Sequence, residues 1–228
     1  MFKMQKMDVL VGVYIFGIIV SELMGIKTFP LVTFGDFTLN ASVAIFLIPI
    51  LFTINDVIIE VHGVERARSV VRTGLMTIGL LFGFIMLSLA LPPSMRFSEH
   101  NEEFKEVFGK SARISLASLT AFALADFLDI FLFAKIRQKL GKSKLWLRNN
   151  ASNIIAQFID TTVFMTLAFW ALDKSIDSNF AFLTSLIIPY WLLKSFMSII
   201  ETPLVYLGVK WLREENQEKK KKVKVIVN

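Results

Sequence analysis

The sequence predicts an all-α polytopic membrane protein: six transmembrane helices in one compact bundle, with both termini cytoplasmic. Three observations predict it. Of the 228 residues, 54% are of the AVILMFWYC set against 19% charged, and the mean hydropathy is +0.60. A soluble domain of this length has nowhere to hide so much apolar surface. The chain also holds six separate, mostly apolar stretches of about 20 residues, the length a helix needs to cross the hydrocarbon. Its basic residues, finally, collect on alternate connections. Eighteen Lys and Arg fall on the side that holds both termini, the 66–72 junction and the 135–148 connection, whereas six (Lys27, Arg96, Lys105, Lys110, Arg113 and Lys174) fall on the other. Cytoplasmic loops carry that excess.

The same composition excludes several classes. Twenty-two Phe with only 11 Gly and 6 Pro rule out disordered and collagen-like chains. The absence of cysteine removes disulfides, thiolate metal sites and cysteine nucleophiles. The two histidines, His62 and His100, are far apart in sequence, so no metal or other cofactor is expected. Of the formal charge of +6, residues 210–228 account for +4, with seven Lys/Arg and three Glu. Such a distribution argues against a nucleic-acid partner and fits a tail that meets anionic lipid.

The expected spans are 8–28, 41–62, 69–91, 111–134, 151–172 and 180–208. The first continues past Met24 with no A-x-A-type site, so it reads as a membrane helix and not a cleaved leader. The 92–110 connection opens on Pro92-Pro93 and carries Glu99, Glu102, Glu103 and Glu106, as an external loop does. The sixth span exceeds a bilayer and is expected to tilt, or to emerge before the KKKK run at 219–222. The chain then divides into a transmembrane domain, 1–210, and a Lys-rich cytoplasmic tail, 211–228.

Ionisable and amide groups at bilayer depth are costly unless they face a polar interior, which makes each a candidate for function. At 100° per residue, Asn149, Asn150, Asn153, Gln157, Asp160 and Thr161 fall within an arc of about 120° on the fifth span. Six such groups with a carboxylate among them favour a cavity lining over packing glue between helices. In the second span Asn55, Asp56 and Glu60 precede His62 and Gly63. A polar space beside a helix that stops at Gly63 is one reading, and pairing of Asp56 and Glu60 with Arg66 and Arg68 is the other. His62 reads as an interface residue. In the sixth span Lys194, Ser198 and Glu201 share a face with Tyr190. Lys194 needs an internal anion, either Asp160 or a ligand. Glu22 is expected to pair with Lys27, and Asp126 and Asp129 to be ordinary helix residues.

Three strings, NDVIIEVHGVERAR at 55–68, LWLRNNASNIIAQFIDTTVF at 145–164 and ETP at 201–203, resemble the queuosine precursor transporter family, small six-helix prokaryotic inner-membrane carriers once described as vitamin-uptake-like. The resemblance spans about 8–210. It implies uptake of 7-cyano-7-deazaguanine, with 7-aminomethyl-7-deazaguanine as a second substrate, for tRNA modification. The residues suit such a base. Asp160 or Glu60 can accept from the ring N–H and exocyclic amine, Asn150, Asn153 or Gln157 can serve the carbonyl and ring nitrogen, and Tyr190, Trp191 or Phe158 can stack on the ring. The site expected from these readings comprises Asn55, Glu60, Asn150, Asn153, Gln157, Asp160, Tyr190, Lys194 and Glu201, drawn from helices 2, 5 and 6. The partners expected are the deazapurine, the lipid bilayer and, optionally, a second copy of the chain.

Two rivals remain. One is the substrate-binding subunit of an ATP-driven vitamin-type importer; with no GxxxxGK[ST] motif in the chain, an ATPase module would have to supply the energy. The other is an intramembrane hydrolase using Asp126, Asp129 and Asp160. Against it stand the absence of HExxH and GxSxG motifs and the three-residue spacing of two aspartates on one helix.

Overall fold

The computed structural model describes residues 4–140 and 145–227, with side chains described outside 125–153, 156, 197–201 and 215–227. Six long α-helices are present among these residues: α1 (Lys6–Met24), α2 (Ile48–His62), α3 (Val64–Ala90), α4 (Asn101–Leu140), α5 (Leu145–Phe169) and α6 (Ile176–Val227). Among the described residues, four segments are long and apolar enough to cross a membrane: Lys6–Met24, Val43–His62, Val64–Ala90 and Ile176–Phe196. Their apolar side chains largely point outward. On α3, Met76, Leu80, Phe84 and Leu87 form an exposed stripe, a patch that water would penalise and lipid accepts.

The chain is not wholly α-helical. Between α1 and α2 it forms a two-stranded antiparallel hairpin, β1 (Thr28–Phe34) and β2 (Phe37–Ser42), turned at Gly35. Gly35 sits at φ +57, where an L side chain is strained. Phe, Thr, Val and Leu make up all of β1 except Pro30 and open β2 as Phe37-Thr38-Leu39, which suits an extended backbone better than a helix. The hairpin lies against α6, where Asn40 Nδ2 donates to Ser185 Oγ at 2.8 Å.

Helix limits also differ from the spans read off hydropathy. Polarity marks where a helix leaves the apolar region, and not where the helix ends. Thus α4 begins at Asn101, since Glu102 and Glu106 form ion pairs with Lys105 and Lys110 one turn on. Likewise α3 begins at Val64, directly after Gly63 at φ +84, ψ 167, a conformation essentially restricted to glycine. The final helix is continuous over 52 residues, about 78 Å at 1.5 Å per residue, through Pro189 and Pro203. It therefore outruns a ~30 Å hydrocarbon core and carries the Lys-rich run as helix.

Small residues set how closely the helices approach. A Cβ at Gly74 on α3 would come 2.5 Å from Ile18 Cδ1 of α1, and one at Gly208 on α6 would come 2.6 Å from Val57 Cγ2 of α2. At the hairpin end, Arg113 of α4 donates from Nε to Leu167 O and from Nη2 to Trp170 O, both at 2.7 Å, satisfying carbonyls where α5 ends. Buried Asn179 closes the α5–α6 connection, accepting from Ala171 N–H and donating to Ala171 O, each at 2.8 Å. At the opposite end, where α6 runs on into the tail, Lys6 Nζ donates to Trp211 O at 2.5 Å and stands 5.0 Å from the Trp211 ring centre.

Candidate functional site

Among the described residues, two recesses that border α6 hold ionisable side chains. The inner one, about 190 Å³, lies toward the hairpin end, enclosed by α1, the start of α2, α4, α5 and α6. Its wall is mostly apolar, from Ile48, Leu51, Ile114, Phe164 and Met165, with a small set of polar groups from Glu22, Ser42, Ser118, Thr161, Tyr190 and Lys194. A few placed polar groups on an apolar wall are the usual makeup of a ligand site.

Each polar group is positioned by its own local chemistry. Tyr190, buried on α6, donates its hydroxyl to Ser42 O at 3.1 Å, and Ser42 Oγ donates to Gly25 O at 2.5 Å. These two bonds tie the foot of the hairpin to α6 and to the end of α1. Lys194 Nζ donates to Asp160 Oδ2 at 2.8 Å, with the side chains 19% and 24% exposed, so the anion that Lys194 requires is supplied by α5. One helical step further, Thr161 is buried and its Oγ1 has no hydrogen-bond partner among the described residues. Trp191 and Phe158 meet edge to face at 5.3 Å, and Trp191 Nε1 donates to Ile154 O at 3.3 Å, joining α5 to α6.

Glu22 departs from its expected role. It is 5% exposed and lines the inner cavity, the hydroxyls of Ser118 and Ser115 of α4 come within hydrogen-bonding reach of its carboxyl, and its Oε2 accepts no hydrogen bond. Lys27, its expected partner, is exposed beyond the helix end, and no ion pair joins the two. The physical reason is that five residues along a helix place two side chains about 140° apart, and α1 ends at Met24 before Lys27 is reached. A carboxylate within an apolar helix is itself the sequence signal that could have found it.

The outer recess, about 550 Å³, lies between α2 and α6 and is lined by Asp56, Glu60, Thr202, Tyr206, Val209 and Arg213, among others. Glu60 Oε1 accepts from Arg213 Nη2 at 2.8 Å, with both side chains more than half exposed. The partner is thus a residue of α6 and neither Arg66 nor Arg68; Arg68 instead pairs with Glu65 at 3.1 Å. Tyr190 and Lys194 therefore share one cavity, with Asp160 bonded to the second, while Glu60 lines a separate space. Asn55 is half-buried on α2 and Gln157 half-buried on α5. The side chains of Asn150, Asn153 and Glu201, and those of Asp126 and Asp129, lie outside the described residues.

Residues 42–208 match the family model described as "Putative vitamin uptake transporter". A "Probable queuosine precursor transporter" of Bacillus subtilis (strain 168) is 28% identical over 205 residues, covering 89% of this chain and 84% of that protein. The "Queuosine precursor transporter" of Escherichia coli (strain K12) is 30% identical over 125 residues, 55% of this chain and 53% of that protein. A "Probable queuosine precursor transporter" of Haemophilus influenzae is 25% identical over 144 residues, 60% of this chain and 55% of that protein. No solved structure matches the chain. With most of its length matched by that model, and with outward-facing apolar helices around a cavity that holds a few polar groups, the chain belongs to the vitamin uptake transporter family, whose relatives here are named queuosine precursor transporters.

Proposed function

We propose that this protein imports a queuosine precursor, 7-cyano-7-deazaguanine and also 7-aminomethyl-7-deazaguanine, across the inner membrane, with both termini cytoplasmic and all six helices spanning. The observation that carries the reading is the cavity of about 190 Å³ with Glu22, Thr161, Tyr190 and Lys194 in its wall. It is smaller than the ~300–1,000 Å³ sites that hold drug-sized ligands, and so suits a flat two-ring heterocycle. Acceptor and donor groups stand in one wall, as a guanine-like edge requires. The relatives' names supply the substrate class.

Central recognition is assigned to Tyr190, Lys194 and Asp160, with Asn55, Asn150, Asn153, Gln157, Glu60 and Glu201 as further contacts along the path. The eighteen-to-six imbalance in Lys and Arg supports the orientation, and the 211–228 segment then meets anionic lipid. Flux of the radiolabelled base into proteoliposomes containing only the purified chain tests this. Counterflow without any ATPase is the expected result. Flux seen only with an ATP-hydrolysing partner would make the chain a binding subunit, and no flux under either condition overturns the carrier reading. Within a transporting wild type, Asp160→Asn and Gln157→Ala are expected to reduce uptake or affinity.

A further inference from the structure

Glu22 is the one ionisable residue with an acidic or basic side chain that is buried to within 5% among the described residues, and the ion pairs accounted for above do not include it. It occupies the last turn of α1, where the helix's free carbonyls repel negative charge. A carboxylate in such a place is costly unless donors reach it. The cation of the same cavity, Lys194, already donates to Asp160. Tyr190 donates to Ser42 O, and the donors that α4 brings within hydrogen-bonding reach of the carboxyl are the uncharged hydroxyls of Ser118 and Ser115. Oε2 is thus buried, in a residue of the cavity wall, with an open acceptor position.

A carboxylate accepts two adjacent N–H donors side by side, and an amino-lactam edge, a ring N–H next to an exocyclic amine, presents that pair. We propose that Glu22 is the specificity-determining residue of the inner cavity, reading the amino-lactam edge of a guanine-like base. This rests on the transport reading above. The carbonyl adjoining that edge needs a donor, and Thr161 Oγ1, buried in the same wall without a partner, supplies one. Glu60, which the sequence offers for the acceptor role, is held by Arg213 in the outer recess, and Asp160 by Lys194. Glu22 needs no such exchange of partners. Bases that lack the exocyclic amine leave half of the carboxylate unpaired and are rejected, because an unpaired buried acceptor costs more than a missing contact.

Competition binding to detergent-solubilised protein, run beside proteoliposome uptake, tests the assignment. In the wild type, 7-cyano-7-deazaguanine is expected to outcompete its des-amino analogue at least tenfold. Glu22→Gln retains size but replaces one acceptor with a donor. It is expected to weaken binding of the amino-lactam base at least tenfold and to shrink the preference over the analogue to about threefold or less, while thermal stability and elution profile stay near wild type. Equal competition by the two bases in the wild type overturns the proposal whatever becomes of the variant. So does a folded Glu22→Gln protein that keeps the wild-type preference. If the wild type neither binds nor transports the base, the transport reading falls together with it; if it does both and only the variant result is contrary, Glu22 alone is misassigned.

Discussion

The two recesses along α6 contain the same chemistry in different solvents. Lys194–Asp160 and Arg213–Glu60 are both cation–carboxylate pairs with an N···O distance of 2.8 Å, and both tie α6 to a neighbouring helix. In the inner pair the side chains are about one-fifth to one-quarter exposed, and in the outer pair more than half. Geometry does not separate them; access of water does. In the inner site an ion lost from the pair leaves its partner stranded, whereas in the outer site water takes the vacated place. A bundle can therefore use the same kind of ion pair in a rigid interior and on a surface that opens freely.

The largest test of that contrast replaces one partner at each place. Asp160→Asn is expected to cost about 3 kcal/mol, since it leaves Lys194 partly buried without its anion. Glu60→Gln is expected to cost less than about 1 kcal/mol, the usual value for an exposed pair. Denaturation of the detergent-solubilised protein measures both. The double variant Asp160→Asn with Lys194→Met should recover at least half of the loss, because no charge is then stranded. Equal costs for the two single changes would mean that the inner pair is as well hydrated as the outer one.

How far each region can be read from the chain follows from the same difference. Lys194 and Asp160 stand out in the sequence because a charge inside an apolar run has few escapes, and their mutual pairing was among the alternatives those residues allowed. Glu22 carries the same signal, but the nearby Lys27 offers a false escape, which the five-residue spacing and the end of α1 at Met24 together remove. The hairpin was legible in principle: two runs rich in Phe, Thr, Val and Leu flank Gly35-Asp36. Hydropathy hides it, because a window that seeks apolar helices leaves 29–40 as a mere connection between the spans 8–28 and 41–62. The pairing of Glu60 with Arg213 was not legible at all. It depends on α6 remaining helical beyond Pro203 and lying along α2, a tertiary fact without a local signature.

In the α5–α6 connection, Asn179 gives the next effect in size. It is 3% exposed and its side chain holds both the N–H and the C=O of Ala171. Asn179→Ala leaves these backbone groups unpaired and is expected to cost about 2 kcal/mol by the same denaturation measurement. An exposed capping residue would lose only a fraction of that, so a negligible change would show that water enters the α5–α6 connection. Tyr190→Phe is milder. It removes the one bond to Ser42 O and keeps the ring in the wall, with an expected cost of about 1 kcal/mol. Its additional readout is faster amide exchange in β2, since the hairpin would remain attached to α6 chiefly through Asn40 and apolar packing.

The smallest effect lies where water is freest, on the first turns of α4. Hydrogen bonds and charge from Lys105 and Lys110 hold the carboxyls of Glu102 and Glu106 below their ordinary value of 4.5. A lowered value in the folded helix means that the ion pairs add stability above about pH 4.5, and that this contribution is lost as pH falls through the depressed values. Amides of residues 103–109, corrected for intrinsic exchange, are therefore expected to be better protected at about pH 6 than at about pH 3, by a modest factor suited to exposed pairs. Lys105→Gln with Lys110→Gln should flatten the dependence by removing the cations that lower both carboxyls. High salt should do the same in the unaltered protein by screening, while leaving the Lys194–Asp160 bond between α5 and α6 intact. A salt response of equal size at both places would erase the distinction between the watered surface of the bundle and its interior.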